Sequence, residues 1–362
     1  MNSGSSVDVQ QAERPAMVPA VPGELVEFIK ACPKFIIAGH KEPDGDCVGS
    51  QLALRSALLR LGKEVVVCSA GPFNRTELKK FTDFFISIPS ANEDESSHAD
   101  SKEGSPGQKS LGADPDTSVL LLDCSGKERA GEIKNFLDKY PCAIIDHHAA
   151  VNHQPSTLQA PVFVDENSPS CTLLVYRLIT ALGLELTEDE ATYLLFGLCT
   201  DTGFFRHMTE KHSEAFEAAA QMIKSGASPK KIHKIIHGGK SLNSRILLGR
   251  ILSRIESCFD GKLLISYETL EEFNYFGYES RDSDTLNQLL LSTEGIQAVV
   301  IIRQECAENC TVSLRSSDKI NVSQIAASLG GGGHRNAAGL TIKGDISFVK
   351  QKIIELFNKI FN

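Results

Sequence analysis

The sequence predicts an α/β protein, in which a parallel-sheet domain is joined by a helical linker to a smaller α/β domain. Three observations lead there. Short apolar runs alternate with helical patterns from Lys34 onward, the charge divides unevenly along the chain, and a basic segment at 224–255 carries no acid. At 362 residues the chain is longer than one average domain, which favours two.

Residues 1–21 lack a basic start and a long apolar centre, so they read as a disordered tail and not as a secretory signal. "KFIIAG" is a continuous apolar run, the pattern of a strand buried on both faces. Apolar residues recur at helical spacing from Cys47 to Leu61, and "KEVVVCS" follows as a second strand. Residues 90–118 are rich in Ser, Gly and acid, without one aromatic, Ile or Val, and read as a disordered insertion. "TSVLLLDCS" and "PCAIIDHH" are further strands, and helices are expected near 170–183, 188–199 and 210–225. Such alternation implies a parallel sheet that gathers ligands outside the carboxyl ends of its strands.

The first domain is expected over 22–225, the basic helical linker over 226–258 and the second domain over 259–362. In the second, "KLLISYETL", "IQAVVIIRQE" and "CTVSLRSS" read as antiparallel strands, followed by a short helix, a glycine run and a terminal helix. Residues 1–223 carry 19 basic and 32 acidic residues, net −13, whereas 224–362 carry 18 and 14, net +4. No apolar run approaches the roughly 18 residues of a membrane span. The ten cysteines form no C-x-x-C pair, which points to reduced thiols and a cytoplasmic location.

Ionisable residues collect at the expected strand ends. His40, Asp44 and Asp46 follow the first strand, Asp123 ends "SVLLLD", Asp146, His147 and His148 end "PCAIID", and Asp201 follows "ATYLLFGLCT". One such residue alone is usually a cap or turn residue. Four or more carboxylates converging on one sheet edge would repel each other unless cations hold them. Mixed imidazole and carboxylate donors suit Mn²⁺ or a similar divalent ion, and a shared carboxylate makes a two-metal centre.

The ordered set H-x-x-x-D-x-D, LLLD, IIDHH and TDTG resembles the DHH phosphoesterase family. "NVSQIAASLGGGGHRNAAG" is similar to the glycine-rich segment of the DHH-associated domain of the first type. The pairing and the length most resemble the nanoRNase and pAp phosphatase branch. The resemblance implies one metal on His40, Asp44 and Asp123, and another on Asp46, Asp123, His147 and Asp201. It also implies that Asp146 hydrogen-bonds and orients His147, while His148 meets the scissile phosphate as charge stabiliser or acid. Arg315, Ser316, Gly331, Gly332, Gly333, His334 and Arg335 would bind substrate. Arg206 is a weaker candidate.

The implied activity is two-metal hydrolysis of very short oligoribonucleotides to nucleoside 5′-monophosphates, and of pAp to AMP. The alternatives are a linear or cyclic dinucleotide phosphodiesterase (pGpG, pApA, cyclic di-AMP) and a non-catalytic nucleotide-binding module, which would have lost a ligand. Short RNA, dinucleotides and pAp are the expected partners, without a membrane, and a homodimer is the expected assembly. The basic segment reads either as a solvated helical face or as a steering element, with some of Lys230, Lys231, Lys234, Arg245 and Arg250 expected to steer or hold substrate phosphates.

Overall fold

Both faces of the first sheet are covered, which is why its strands are continuously apolar. The computed structural model describes residues 19–86, 116–148, 161–317 and 319–361. The expected tail as far as residue 18, and the expected insertion over 90–115, lie outside the described residues. The chain divides at Gly238–Gly239 into two units.

The first unit runs α1 (Gly23–Ala31), β1 (Lys34–Ala38), α2 (Gly45–Arg60), β2 (Glu64–Cys68), β3 (Phe85–Ile86), β4 (Thr117–Leu122), α3 (Lys134–Leu137), β5 (Cys142–Asp146), β6 (Val162–Val164), α4 (Cys171–Ala181), α5 (Glu188–Asp201), α6 (Ser213–Lys224) and α7 (Pro229–His237). Phe35 and Ile37 of β1 bury in a core with Leu54 of α2 and Leu174 of α4, while Ile36 and Ala38 pack on the other side with Ile133 and Leu137. All pairings are parallel, in the order β3-β2-β1-β4-β5-β6. The strand order reverses between β1 and β4, so the crevice for ligands opens at their carboxyl ends. Thr117 and Ser118 correct the expected end of the insertion. Both are buried and belong to β4, because they pair with Lys34 and Phe35.

The second unit runs α8 (Leu242–Ser253), β7 (Glu256–Cys258), β8 (Leu263–Glu268), α9 (Leu270–Phe276), α10 (Ser283–Leu291), β9 (Ala298–Gln304), β10 (Asn309–Ser316), α11 (Val322–Ala327), β11 (Gly332–His334), β12 (Ala337–Lys343) and α12 (Ile346–Phe361). Its sheet has the order β11-β12-β10-β9-β8-β7. The antiparallel expectation fails at one place: β8 and β9 are parallel, with Leu263 opposite Ala298. A parallel pair needs a crossover, and α9 and α10 supply it.

The expected linker is also divided. The helix α7 belongs to the first unit. Leu247 and Ile251 of α8, one turn apart, bury against Leu264, Phe276 and Val299 of the second. Two of the five candidate cations pair within this unit: Arg245 with Asp282 at 2.7 Å, while Arg250 lies 3.7 Å from Glu272. Lys230, Lys231 and Lys234 are exposed on α7. No helix among the described residues is long and apolar enough to cross a membrane.

Candidate metal centre

The carboxyl ends of β1, β4 and β5 bring the ionisable residues together. His40 follows β1, and its Nδ1 lies 2.8 Å from the Lys41 carbonyl, an arrangement that makes Nδ1 the protonated nitrogen and turns Nε2 inward. That Nε2 stands 3.4 Å from Asp123 Oδ2 and 3.8 Å from Asp44 Oδ1. Asp44 is at the same time the N-cap of α2, accepting from the N–H groups of Asp46 and Cys47 at 3.0 Å. His147 Nδ1 lies 3.2 Å from the Ser168 carbonyl, so its Nε2 also faces the carboxylates. It stands 3.4 Å from Asp123 Oδ1, 3.5 Å from Asp201 Oδ2 and 3.8 Å from Asp46 Oδ2. Asp123 thus presents one oxygen to each imidazole. Its backbone is left-handed, φ 54°, at a cost of about 1–2 kcal/mol.

Helix packing delivers the remaining two carboxylates. A Cβ on Gly49 of α2 would lie 2.5 Å from the Tyr193 carbonyl, and one on Gly197 of α5 would lie 2.4 Å from Thr172 Cγ2 and 3.0 Å from Asp46 Oδ1. Glycine at both positions lets α2 and α5 touch. The contact sets Asp46, in the first turn of α2, near Asp201 at the end of α5. Asp46 is wholly buried at the start of α4, accepting from Cys171 N at 2.6 Å, Thr172 N at 3.0 Å and Thr172 Oγ1 at 2.7 Å. After Asp201, the Thr202 hydroxyl accepts from Phe205 N, while Phe204 and Phe205 take left-handed backbones, φ 59° and 69°. Strain of this kind gathers where a site demands a particular chain path.

Asp146 corrects one expectation. Its Oδ1 accepts from the backbone N–H groups of His147 and His148, at 2.8 and 3.2 Å, and bonds the ring of His148 at Nδ1, 2.8 Å away. It therefore orients His148, and the Ser168 carbonyl orients His147. The physical reason is the tight turn after β5, which folds His148 back over the carboxylate that ends the strand.

The charges are unbalanced. Burial opposes the charged forms of His40 and His147, yet the facing carboxylates, Asp123 with Asp44 for His40 and Asp123 with Asp46 for His147, raise both, His147 to about 10. Burial pushes the Asp201 carboxyl up to about 6, with the neighbouring Asp123 adding to it. Burial likewise raises Asp46, reinforced by Asp123 and Asp201, while three donors favour its ionised form. Asp123 Oδ1 and Asp146 Oδ2 are buried without a hydrogen-bond partner. The imidazole to carboxylate gaps of 3.4–3.8 Å exceed the roughly 2.7–2.9 Å of a charge-assisted hydrogen bond. They are close to the spacing of donors that each lie about 2.1 Å from a common cation. The donor set fits divalent ions.

The expected substrate contacts of the second unit are only partly gathered. His334, Ala337, Arg315 and Val299 form one row across β11, β12, β10 and β9, so the two basic side chains share a face with a small residue between them. Ser316 points the other way, buried, with its hydroxyl donating to the Ile320 carbonyl at 2.7 Å. Arg335 is exposed, and its carbonyl accepts from Val322 N. Gly332 is exposed, but Gly331 and Gly333 have a packing reason to be glycine: a Cβ at either would lie 2.4–2.5 Å from a β12 carbonyl. Arg206 is exposed, its Nη2 3.1 Å from His207 Nε2.

Residues 34–198 match the N-terminal domain of the DHH family, and residues 260–362 match the DHHA1 domain. The chain is 30% identical over 335 residues to the bifunctional oligoribonuclease and PAP phosphatase of Thermus thermophilus, covering 91% of each protein. The chain belongs to the DHH family. It is also 26% identical over 325 residues to a cyclic-di-AMP phosphodiesterase of Listeria monocytogenes, across 88% of this chain and 46% of that one. An exopolyphosphatase-related protein from Bacteroides fragilis shares the fold, with a TM-score of 0.71 at 22% identity, over 92% of this chain and 93% of that one.

In this DHH chain the sequence reading misses one residue of the cluster. The Cys47 sulfur lies with His40 and Asp123 in a group whose potential ligand atoms are all within 4.8 Å of one another. The available signal is its place directly after the D-x-D pair, on the first turn of the helix that Asp44 caps.

Proposed function

We propose that the protein is a two-metal phosphoesterase that cleaves very short oligoribonucleotides to nucleoside 5′-monophosphates and converts pAp to AMP. The observation that carries this is the division of Asp123 between two donor groups, His40 with Asp44 on one oxygen and His147 with Asp46 and Asp201 on the other. Mn²⁺ suits these nitrogen and oxygen donors. Divalent ions held there would supply Lewis-acid stabilisation of phosphate charge and activation of water.

The chain's own groups position the rest. His148 Nδ1 is held by Asp146, which leaves Nε2 as the ring atom able to meet a phosphate oxygen or pass a proton to the leaving oxygen. Its side chain is 41% exposed, so substrate can reach it. Arg315 and His334 are the groups we assign to the substrate's phosphate or base. Ten free cysteines fit a reducing, cytoplasmic setting.

One assay set tests the reading: the Mn²⁺-loaded protein against pAp, pApA, a trinucleotide, a long RNA, pyrophosphate and cyclic di-AMP. Turnover of pAp and the short RNAs well above the long RNA is expected. Preference for cyclic di-AMP would move the protein beside the Listeria relative, and hydrolysis of none would make it a binding module.

A further inference from the structure

We propose that Cys47 is a ligand of the ion at His40 and Asp123, and that this half of the centre takes a thiophilic divalent ion, Zn²⁺, Co²⁺ or Fe²⁺, in preference to Mn²⁺. The inference rests on the metal-centre reading above. Every other buried cysteine packs in an apolar core: Cys68, Cys124 and Cys142 in one, Cys171 and Cys199 in another, Cys310 in a third. Cys47 is wholly buried and belongs to none of them. Its neighbours are polar. Gln51 Nε2 donates to the sulfur at 3.2 Å, and its own N–H donates to Asp44 Oδ1 at 3.0 Å.

One further contact holds the sulfur in place. A Cβ on Gly39 would lie 2.2 Å from Cys47 Sγ, so the sulfur rests directly over the chain leaving β1, beside His40. Asp123, in the same group, is 1% exposed, and the oxygen it turns to His40 is Oδ2. The sulfur accepts the Gln51 hydrogen bond in the first turn of α2, which fixes where it points. On ion binding the S–H bond breaks, a sulfur–metal bond forms and the proton leaves to solvent, with no change of oxidation state. Thiolate is soft, which favours Zn²⁺, Co²⁺ or Fe²⁺ over Mn²⁺ at this position. The other donor group, Asp46, His147 and Asp201, offers only nitrogen and oxygen.

Titration of the metal-free full chain with Co²⁺ under reducing, anaerobic conditions tests this by absorption. The d–d bands report that an ion is bound, and a sulfur-to-cobalt charge-transfer band in the near ultraviolet reports a thiolate ligand. Wild type should show both. Cys47→Ala should keep the d–d bands and lose the charge-transfer band, with Zn²⁺ affinity falling at least ~10-fold while Mn²⁺ affinity changes far less. Wild-type d–d bands without charge transfer would overturn the thiol assignment and leave the metal centre standing, a result that needs no folded variant. A charge-transfer band that survives in Cys47→Ala would overturn it too, by placing the ion on another sulfur. No Co²⁺ spectrum at all would remove the centre itself.

Discussion

His40 and Asp123 stand at the carboxyl ends of adjacent parallel strands, with Nε2 and Oδ2 3.4 Å apart. They mark the point where the strand order of the sheet reverses. Asp46 and Asp201 reach this point along two helices, α2 and α5, whose glycine contact sets how closely they approach.

That contact gives a first prediction. Gly197→Ala places a methyl against Thr172 Cγ2 and Asp46, so α2 and α5 must separate. We expect a loss of about 1–3 kcal/mol of stability and a larger proportional loss of divalent-ion affinity. Denaturant unfolding and calorimetric Mn²⁺ titration of the variant measure the two.

Asp46 and Asp201 should part company on removal. Asp46→Ala strands three buried donors at the start of α4 and should cost at least ~2 kcal/mol without metal. Asp201 is 30% exposed at its side chain and repels its neighbours, so Asp201→Ala should leave metal-free stability within ~0.5 kcal/mol. Both should lose more than ~100-fold in turnover. Unfolding of both variants in a chelator checks the contrast.

The pH dependence has a definite sign. Asp201, raised to about 6, and His147, raised to about 10, both bind their protons more tightly in the folded chain than in the unfolded one. Metal-free stability should therefore fall as pH rises from about 4 through 6, and fall again from about 6.5 toward 10. Burial pushes the Asp44 carboxyl up, but the facing His40 and the Cys47 N–H hold it below the usual carboxylate range, so it acts only at more acid pH. Bound divalent ion prefers the deprotonated carboxylates and neutral imidazoles, so Mn²⁺ should reverse the slope. Urea midpoints at several pH values, with chelator and with Mn²⁺, would show it.

Arg315 and Ser316 are neighbours with opposite facings, and their variants should separate binding from stability. Arg315→Ala should raise KM for a short RNA about 10–100-fold with little change in unfolding. Ser316→Ala loses the bond to Ile320 O and should cost about 1 kcal/mol of stability with KM nearly unchanged. Steady-state kinetics beside thermal unfolding distinguishes the two.

Much of this was legible in the residues. A strand buried on both faces writes itself as an apolar run, so β1, β4 and β5 are plain, and with them the His and Asp residues at their ends. Tertiary partners are not written so locally. Nothing near Asp146 says that its carboxylate turns to His148 while the carbonyl of Ser168 takes His147. The parallel pairing of β8 with β9 was hidden because the crossover helices are only 7 and 9 residues long. Even there one signal was available: Thr269 and Glu272 form a capping box at the start of α9. Cys47 gives no local sign of its surroundings, because a thiol beside a helix start has the pattern of a core residue and only the tertiary packing excludes it from the apolar clusters.

The most direct measurement on the centre is electron paramagnetic resonance of the metal-free chain titrated with Mn²⁺, with bound ion counted at equilibrium. If Asp123 is shared as its two oxygens indicate, saturation brings two ions per chain in an exchange-coupled pair, and Asp123→Ala loses the coupling while remaining folded. A wild-type chain that saturates at one ion, with only the signal of isolated Mn²⁺, would contradict the account.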